Sequence, residues 1–469
     1  MAAIRENSAF GAFGFMETIF AKASGAGKAG IAVIRLSGPL TVSIAESLCA
    51  RPLSPRIATH TVIRESRGAA ILDVGLAVLF PGPASFTGED VLELHVHGSR
   101  SVENDLYHAL QKHGARPAEA GEFTKRALLN GKMDLAEVEG LADLIDAETS
   151  AQRRQALAQT NGRLSKRAEG WRQQLTLILA ALEADIDFPD EEDVPAAVAQ
   201  GAVDLIHALI GDLDLALKHG GRAMRLREGV TVAIIGAPNA GKSSLLNCLV
   251  DDDRAIVSAQ AGTTRDIVEA RLDLTGVPVV FQDTAGIRDS VGDAIEDEGV
   301  RRSIKAADEA DLRVVVVDPF GGSDKAPRGT RYDVPRETRD LLGEGDLVIW
   351  TKADLGSEPP PPFSSGKWSG RAVSSKTRAG IDDLLEDVTA FVETATQAAG
   401  DGPLTRARHL AAVENASQSL SQSLELIAMG PELAAEEVRL AARALGRITG
   451  AVDVEDVLGE IFSSFCIGK

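Results

Sequence analysis

Cysteine is nearly absent. Cys49, Cys248 and Cys466 are the only three in 469 residues, and they stand at unrelated spacings. That pattern argues against a disulfide framework and against a zinc cluster. Long apolar runs are missing as well, since no stretch approaches the roughly 18 residues that a membrane-spanning helix needs. The first fifteen residues, MAAIRENSAFGAFGF, lack the continuous apolar centre of a signal peptide. The expected compartment is the cytoplasm, with no membrane partner. Positive charge is also scarce. Forty-nine Lys and Arg face 69 Asp and Glu, for a net charge of −20. This disfavours non-specific nucleic-acid binding, because phosphate contacts carry most of that affinity. A role with nucleic acid needs a local basic patch or a partner that supplies one. The candidate patches are Thr124–Lys132, Gly162–Arg167 and Gly221–Arg227, and each taken alone reads as a solvated helix face. No internal repeat is visible.

What is present reads as a multidomain chain. A hydrophobic content of 44% and a charged content of 25% are those of a globular protein, and the length implies about two to four domains. Up to about Lys132, short apolar runs mix with Gly and Pro turns. IAVIRL (Ile31–Leu36) is a continuous apolar run and VLELHVH (Val91–His97) alternates in period two, so both are expected strands of a small α+β domain. From Asp134 to about Ala216, apolar residues such as Leu141, Leu144, Ile145, Leu175, Ile178, Leu179, Leu182 and Ile186 recur at helical steps. Strands and helices alternate between Val230 and about Val392, which implies a parallel sheet with helices on its faces. After Gly402 the chain reads as helix again. The α/β unit is thus an insertion in a helical domain. Within it, Ser357–Gly366 and Phe320–Asp333 are expected surface loops.

The strongest signal is VTVAIIGAPNAGKSSLLNCL (Val230–Leu249), a β-branched strand followed by a glycine-framed turn and a helix. In such a loop backbone N–H groups wrap phosphates, Lys242 reaches the β and γ oxygens, and the Ser243 hydroxyl is placed for Mg²⁺. Further elements follow in order. GTTRD (Gly262–Asp266) offers Thr264 as a second hydroxyl for the metal. VPVVFQDTAG (Val277–Gly286) ends in Asp283, which reaches Mg²⁺ through water, and Gly286, whose N–H senses a γ-phosphate. DLVIWTKADL (Asp346–Leu355) carries Thr351-Lys352-Ala353-Asp354, in which the aspartate accepts two donors that guanine has and adenine lacks. RAVSSK (Arg371–Lys376) closes on the base. Five elements in this order define a GTP site.

One catalytic part is missing. Where small GTPases commonly place a water-orienting glutamine after Asp-x-x-Gly, this chain has Ile287. Hydrolysis therefore needs another group for the water and a cation in place of an arginine finger. The loop Ile287–Ser303 contains five acids, and composition does not choose among them.

The chain resembles the MnmE (TrmE) family of tRNA-modification GTPases. The likeness runs from about Met16 to Lys469 and is carried by Thr18–Gly38, Phe80–Gly98, Gly121–Thr149, the GTPase elements and the terminal FCIGK. Residues 1–15 precede the usual start of the family, which leaves Met1 and Met16 as alternative initiators and 1–15 as an extension. The resemblance implies a multidomain α/β plus α protein, with an N-terminal α+β folate-binding domain, a discontinuous helical domain and an inserted Ras-like P-loop G domain. The expected boundaries are 1–133 for the folate-binding and dimerisation domain, 134–225 and 393–469 for the two helical parts, and 226–392 for the G domain. It further implies a homodimer and a heterotetrameric complex with the flavoprotein MnmG, which carries FAD. Together they would add an aminomethyl or carboxymethylaminomethyl group to C5 of the wobble uridine of certain tRNAs. The one-carbon unit would come from 5-formyl- or methylene-tetrahydrofolate.

Residue by residue, the resemblance places a potassium ion on Asn239, Ser258, Gln260 and Thr263, where an arginine finger would act. The water-orienting acid falls on Glu296, with Glu298 as the alternative. Folate contacts fall on Arg35, Glu93, Lys132 and Lys469, and the thiol of Cys466 joins that pocket. The expected GTP contacts are Asn239, Ala240, Gly241, Lys242, Ser243, Ser244, Ser258, Thr263, Thr264, Asp283, Thr284, Ala285, Gly286, Thr351, Lys352, Asp354, Ser374, Ser375 and Lys376, with Mg²⁺ on Ser243 and Thr264. Thr351 departs from the usual Asn, and its shorter side chain is expected to bridge to the phosphate loop less well. The competing reading is a GTP-switched RNA or ribosome assembly factor, against which the folate-like blocks and the CIGK tail argue. A scaffold with a vestigial G domain is opposed by the intact Lys242, Ser243, Thr264 and Asp283. Finally, Val454, Val457, Leu458, Ile461, Phe462 and Phe465 lie at helical steps, which predicts a docked helix that holds Cys466 in place.

Overall fold

A computed structural model describes residues 17–187, 195–237, 239–256, 269–283, 309–319, 343, 345–355, 363–364, 368–396, 402–452, 458, 461–462, 465 and 468. The chain divides into two compact units. One comprises Met1–Ala142, Gln159–Ala184 and Pro431–Lys469, and the other Asp143–Ala158 and Asp185–Gly430.

In the first unit, a six-stranded sheet has the order β3-β4-β5-β2-β1-β6. The strands are β1 (Ile19–Lys22), β2 (Ala29–Ser37), β3 (Thr59–Arg64), β4 (Ile71–Phe80), β5 (Val91–Gly98) and β6 (Arg116–Pro117). Side chains alternate between the faces of a strand. One face of β2 and β5 therefore buries Ala32, Ile34, Leu36, Leu92, Leu94 and Val96 beneath α1 (Thr41–Leu48) and α2 (Arg100–Lys112). The antiparallel register pairs Arg35 with Glu93 and so sets both on the opposite face. Helix α2 starts at Ser99, whose hydroxyl accepts from the Val102 amide, and buries Leu106, Ala109 and Leu110 at helical spacing.

Helices α3 (Glu122–Leu129) and α4 (Leu135–Asp146) follow the sheet, and α5 (Ser150–Thr160), α6 (Arg163–Asp187) and α7 (Pro195–Glu228) continue the chain. Among the described residues the expected helical stretch is thus four helices, α4 to α7. Its breaks fall at residues such as Gly162, which has φ +77° and lets the chain restart. The last described helix of the first unit, Pro431–Thr449, buries Ala434, Ala435, Val438, Ala441, Leu445 and Ile448 along one stripe.

The second unit holds a seven-stranded sheet of order β12-β13-β11-β10-β7-β9-β8. Its strands are β7 (Val230–Gly236), β8 (Glu269–Leu274), β9 (Val277–Asp283), β10 (Leu312–Val317), β11 (Asp346–Trp350), β12 (Phe363–Ser364) and β13 (Trp368–Ala372). All neighbours are parallel except the edge pairs β8–β9 and β12–β13. The central strands are buried on both faces, which explains their continuous Val and Ile runs. Phe363–Ser364 lies inside the stretch expected as loop. It follows four prolines and forms only a two-residue edge strand, the place where such a sequence is tolerated. Among the described residues the unit also holds helices α8 (Lys242–Val250), α9 (Ile381–Thr396) and α10 (Ala407–Leu426), and α10 packs against α7. The Asp143 carboxylate accepts from Arg227 at 3.0 Å and from Arg406 at 2.7 Å, tying three segments of this unit. Among the described residues, no helix is long and apolar enough to cross a membrane.

Candidate functional site

The registers Ile234–Asp283, Gly236–Val316 and Val317–Trp350 align the C-terminal ends of β7, β9, β10 and β11 in one row. That edge is where ligands bind in open α/β sheets. The chain leaves β7 at Gly236, where a Cβ would meet the Val316 carbonyl oxygen at 2.3 Å, so only glycine fits. Two left-handed residues follow, Asn239 at φ 62° and Gly241 at φ 104°, before α8 begins. The turn exposes the first amides of α8 and their partial positive charge, a ready seat for phosphate.

Lys242 is 5% exposed, and its ammonium donates to the carbonyls of Gly236 and Ala237 at 2.8 and 3.0 Å. The Ser243 hydroxyl donates to Asp283 at 2.9 Å. These contacts bring the two expected metal-side groups together from α8 and β9. Thr351, just past β11, is buried, and its hydroxyl donates to the Ala240 carbonyl at 2.6 Å. The bridge to the phosphate loop expected to be weak is present, because β11 carries Thr351 close enough for a short side chain. Lys352 at φ 59° pairs with Asp318 at 2.6 Å. Ser374 donates to the Asp354 carboxylate at 2.7 Å and accepts from the Thr377 amide at 3.2 Å, which joins the two expected base-binding segments. Ser258, Gln260, Thr263, Thr264, Thr284, Ala285, Gly286, Ile287, Glu296 and Glu298 lie outside the described residues.

In the first unit, Arg35 donates to Glu93 through Nε and Nη2 at 3.0 and 2.9 Å. Its guanidinium lies over the rings of Phe86 and Phe123, 5.7 and 5.9 Å from their centroids. Lys132 donates to the Pro83 carbonyl at 2.9 Å and Asn130 to that of Thr87 at 2.7 Å. The loop Pro83–Thr87 thus draws the three expected residues to one region. His95 stands beside them, with its Nε2 at 3.5 Å from Glu93. Sequence reasoning passed over Phe86, Phe123 and His95. Period-two alternation in VLELHVH signalled His95 as a neighbour of Glu93 on one face, whereas nothing local signalled the rings.

Behind this region Arg126 is fully buried, bonded to Glu89 and Glu122 at 3.1 and 2.9 Å. Burial pushes the Glu122 carboxyl up, but hydrogen bonds from Arg116, the Glu119 amide and Arg126 outweigh it and bring it down to about 2. The chain's end reaches the same unit. Leu458, Ile461, Phe462 and Phe465 pack with Leu128, Met133 and Val138, the apolar contact expected of a docked tail. Gly468 lies against Lys22, whose carbonyl oxygen a Cβ would meet at 2.2 Å. Val454, Val457, Cys466 and Lys469 lie outside the described residues.

Comparison with known proteins places these two regions in one family. The family described as "MnmE helical domain" matches residues 135–466, and "GTP-binding protein TrmE N-terminus" matches residues 18–132. The tRNA modification GTPase MnmE of Maricaulis maris is 48% identical over 453 residues, 96% of this chain and 99% of the relative. Its counterpart in Parvibaculum lavamentivorans is 49% identical over 97% of this chain and 100% of its own length. That of Paramagnetospirillum magneticum is 48% identical, again over 97% and 100%.

Proposed function

The chain belongs to the MnmE family of tRNA-modification GTPases, and on that premise we propose that it hydrolyses GTP while modifying C5 of the wobble uridine of certain tRNAs. The observation that carries the nucleotide half is the meeting of Ser243 with Asp283 and of Ser374 with Asp354 at one end of the sheet. Lys242 and the first amides of α8 hold the phosphates, and Asp354 selects guanine. Mg²⁺ fits Ser243, with Thr264 as a second ligand and Asp283 acting through water, because hydroxyl and carboxylate oxygens suit a hard cation. It neutralises charge on the phosphate oxygens.

Potassium fits Asn239, whose left-handed backbone sets a neutral amide in the phosphate loop, with Ser258, Gln260 and Thr263 as its other ligands. The ion supplies the positive charge of an arginine finger. Glu296, with Glu298 as the alternative, orients the attacking water that Ile287 is unable to hold. The first unit receives a tetrahydrofolate. Glu93 suits the N–H donors of a pterin, the rings of Phe86 and Phe123 offer apolar faces, and Arg35, Lys132 and Lys469 suit carboxylates. A homodimer through the N-terminal domain, joined by MnmG, completes the working complex on tRNA. The proposed domain limits are 1–133 for the folate-binding and dimerisation domain, 134–225 with 393–469 for the helical domain, and 226–392 for the G domain.

The test has two readouts. GTP turnover at matched ionic strength should be faster in K⁺ than in Na⁺, and equal rates would remove the Asn239 assignment. Cells that lack the protein should lose the C5 group from wobble uridine by nucleoside mass spectrometry. An unchanged nucleoside profile with an intact GTPase would leave the assembly-factor reading in its place.

A further inference from the structure

Arg378 ends the segment that follows Ser374, in the left-handed region at φ 61°, a conformation that glycine adopts freely and arginine seldom. Its guanidinium turns back to the C-terminal end of α8. There Nη1 donates to the Cys248 carbonyl at 3.0 Å and lies 3.6 Å from Cys248 Sγ, while Nη2 donates to the Asp252 carboxylate. The Asp252 side chain is 5% exposed and also accepts from Arg254 at 2.7 Å. Hydrogen bonds from Arg254 hold the Asp252 carboxyl below the usual carboxylate range, so the anion is present at neutral pH. Arg254 is in turn fixed by Asp382 at 2.7 Å.

On its other side, Arg378 adjoins Ala379, whose carbonyl accepts from the Ser374 amide at 2.9 Å. Ser374 holds Asp354. A continuous path of contacts therefore runs from the end of the phosphate-binding helix to the carboxylate that faces the base. Exposed ion pairs contribute little, but here a buried carboxylate takes charge-assisted bonds from two guanidinium groups, which are the stronger kind.

We propose that Arg378 is a positioning residue for guanine recognition: it clamps the segment after Ser374 to the end of α8 and, through Ser374, holds Asp354 on the base. This deepens the reading of Asp354 as the guanine-selecting residue and rests on it. Inosine nucleotides provide the probe, because they lack the exocyclic amine that donates to such a carboxylate. A clamp that aims Asp354 matters more for guanosine than for inosine nucleotides, whereas loosening of the fold affects both alike.

The experiment measures dissociation of fluorescent GDP and IDP from the full-length protein by stopped flow, with GTP turnover alongside. Arg378→Gly suits the φ of 61° and removes only the clamp. It should speed GDP release about 10-fold and IDP release less than about 3-fold, raising KM for GTP with kcat at saturation unchanged. Asp252→Asn should reproduce this shift from the other side, and Arg378→Lys should recover part of it. Unchanged GDP release in both Arg378→Gly and Asp252→Asn would overturn the clamp, as would equal acceleration of GDP and IDP. Asp354→Asn separates the two levels. If it leaves guanine preference intact, the base-site reading fails and the clamp with it; if it shifts preference while Arg378→Gly changes nothing, the clamp alone fails.

Discussion

Thr351 shows how a single side chain joins two motifs. Its hydroxyl is buried and donates to Ala240, 111 positions earlier in the chain. Thr351→Val keeps the branched shape and removes the donor, leaving a buried carbonyl without that bond. Such a loss costs about 1–2 kcal/mol, so nucleotide affinity should fall roughly 5- to 30-fold, as read by titration with fluorescent GDP. An unchanged affinity would mean that Ala240 is held well enough by the backbone alone. Asp354→Asn acts on the base instead. Ser374 fixes this carboxylate at 2.7 Å, and loss of its charge should move preference from guanosine to xanthosine triphosphate by about 10-fold or more. Competition between the two nucleotides measures it, and unaltered selectivity would contradict the reading of TKAD. Both residues were legible in sequence, since the motif has fixed spacing and follows an apolar strand. Their contacts with Ala240 and Ser374 were not, because those depend on which strands become neighbours.

The same divide holds for elements. IAVIRL and VLELHVH announce β2 and β5 by their patterning, and the structure extends each by only a few residues. Nothing in either string says that Arg35 faces Glu93, 58 positions away. That pairing is a property of the sheet's register. The cluster behind it is equally non-local. Arg116 of β6 and Arg126 of α3 both bond Glu122, and Arg126 reaches Glu89 before β5. Glu122 has its carboxyl depressed to about 2 in the fold, whereas an unfolded glutamate titrates near 4.3. The unfolded chain therefore takes up the proton first as pH falls. The stabilisation is complete above about pH 5 and is lost on acidification through the interval down to about 2, for a total of about 3 kcal/mol. Urea unfolding followed at pH 7 and pH 3 should show this loss, and Glu122→Gln should flatten it. A mutant with the same acid dependence as the parent would place the sensitive group elsewhere.

At the scale of the whole chain, the nucleotide-site residues belong to one unit and the residues proposed for folate, with Phe465 and Gly468, to the other. Two activities should then be separable by mutation. The three cysteines differ in what their surroundings allow. Burial pushes the Cys49 thiol up to about 11, and burial also raises that of Cys248. Neither supplies a thiolate at neutral pH. Cys466 follows Phe465, which is packed on Val138 and Phe462, and precedes Gly468, which lies against Lys22. Cys466 itself lies outside the described residues, and it is the family resemblance that sets its thiol with the proposed folate residues. Cys466→Ser should therefore abolish or strongly reduce wobble-uridine modification and leave GTP hydrolysis and folding as they were. Gly468→Ala tests the docking without touching sulfur. Its φ of +104° and the approach to the Lys22 carbonyl leave no room for a methyl group, so the tail must shift and modification should fall as well. Nucleoside mass spectrometry of tRNA from cells carrying each variant decides the matter, with phosphate release from the purified proteins as the control. If the Ser variant modifies normally while Gly468→Ala does not, the tail acts by its placement and Cys466 is only a packing residue.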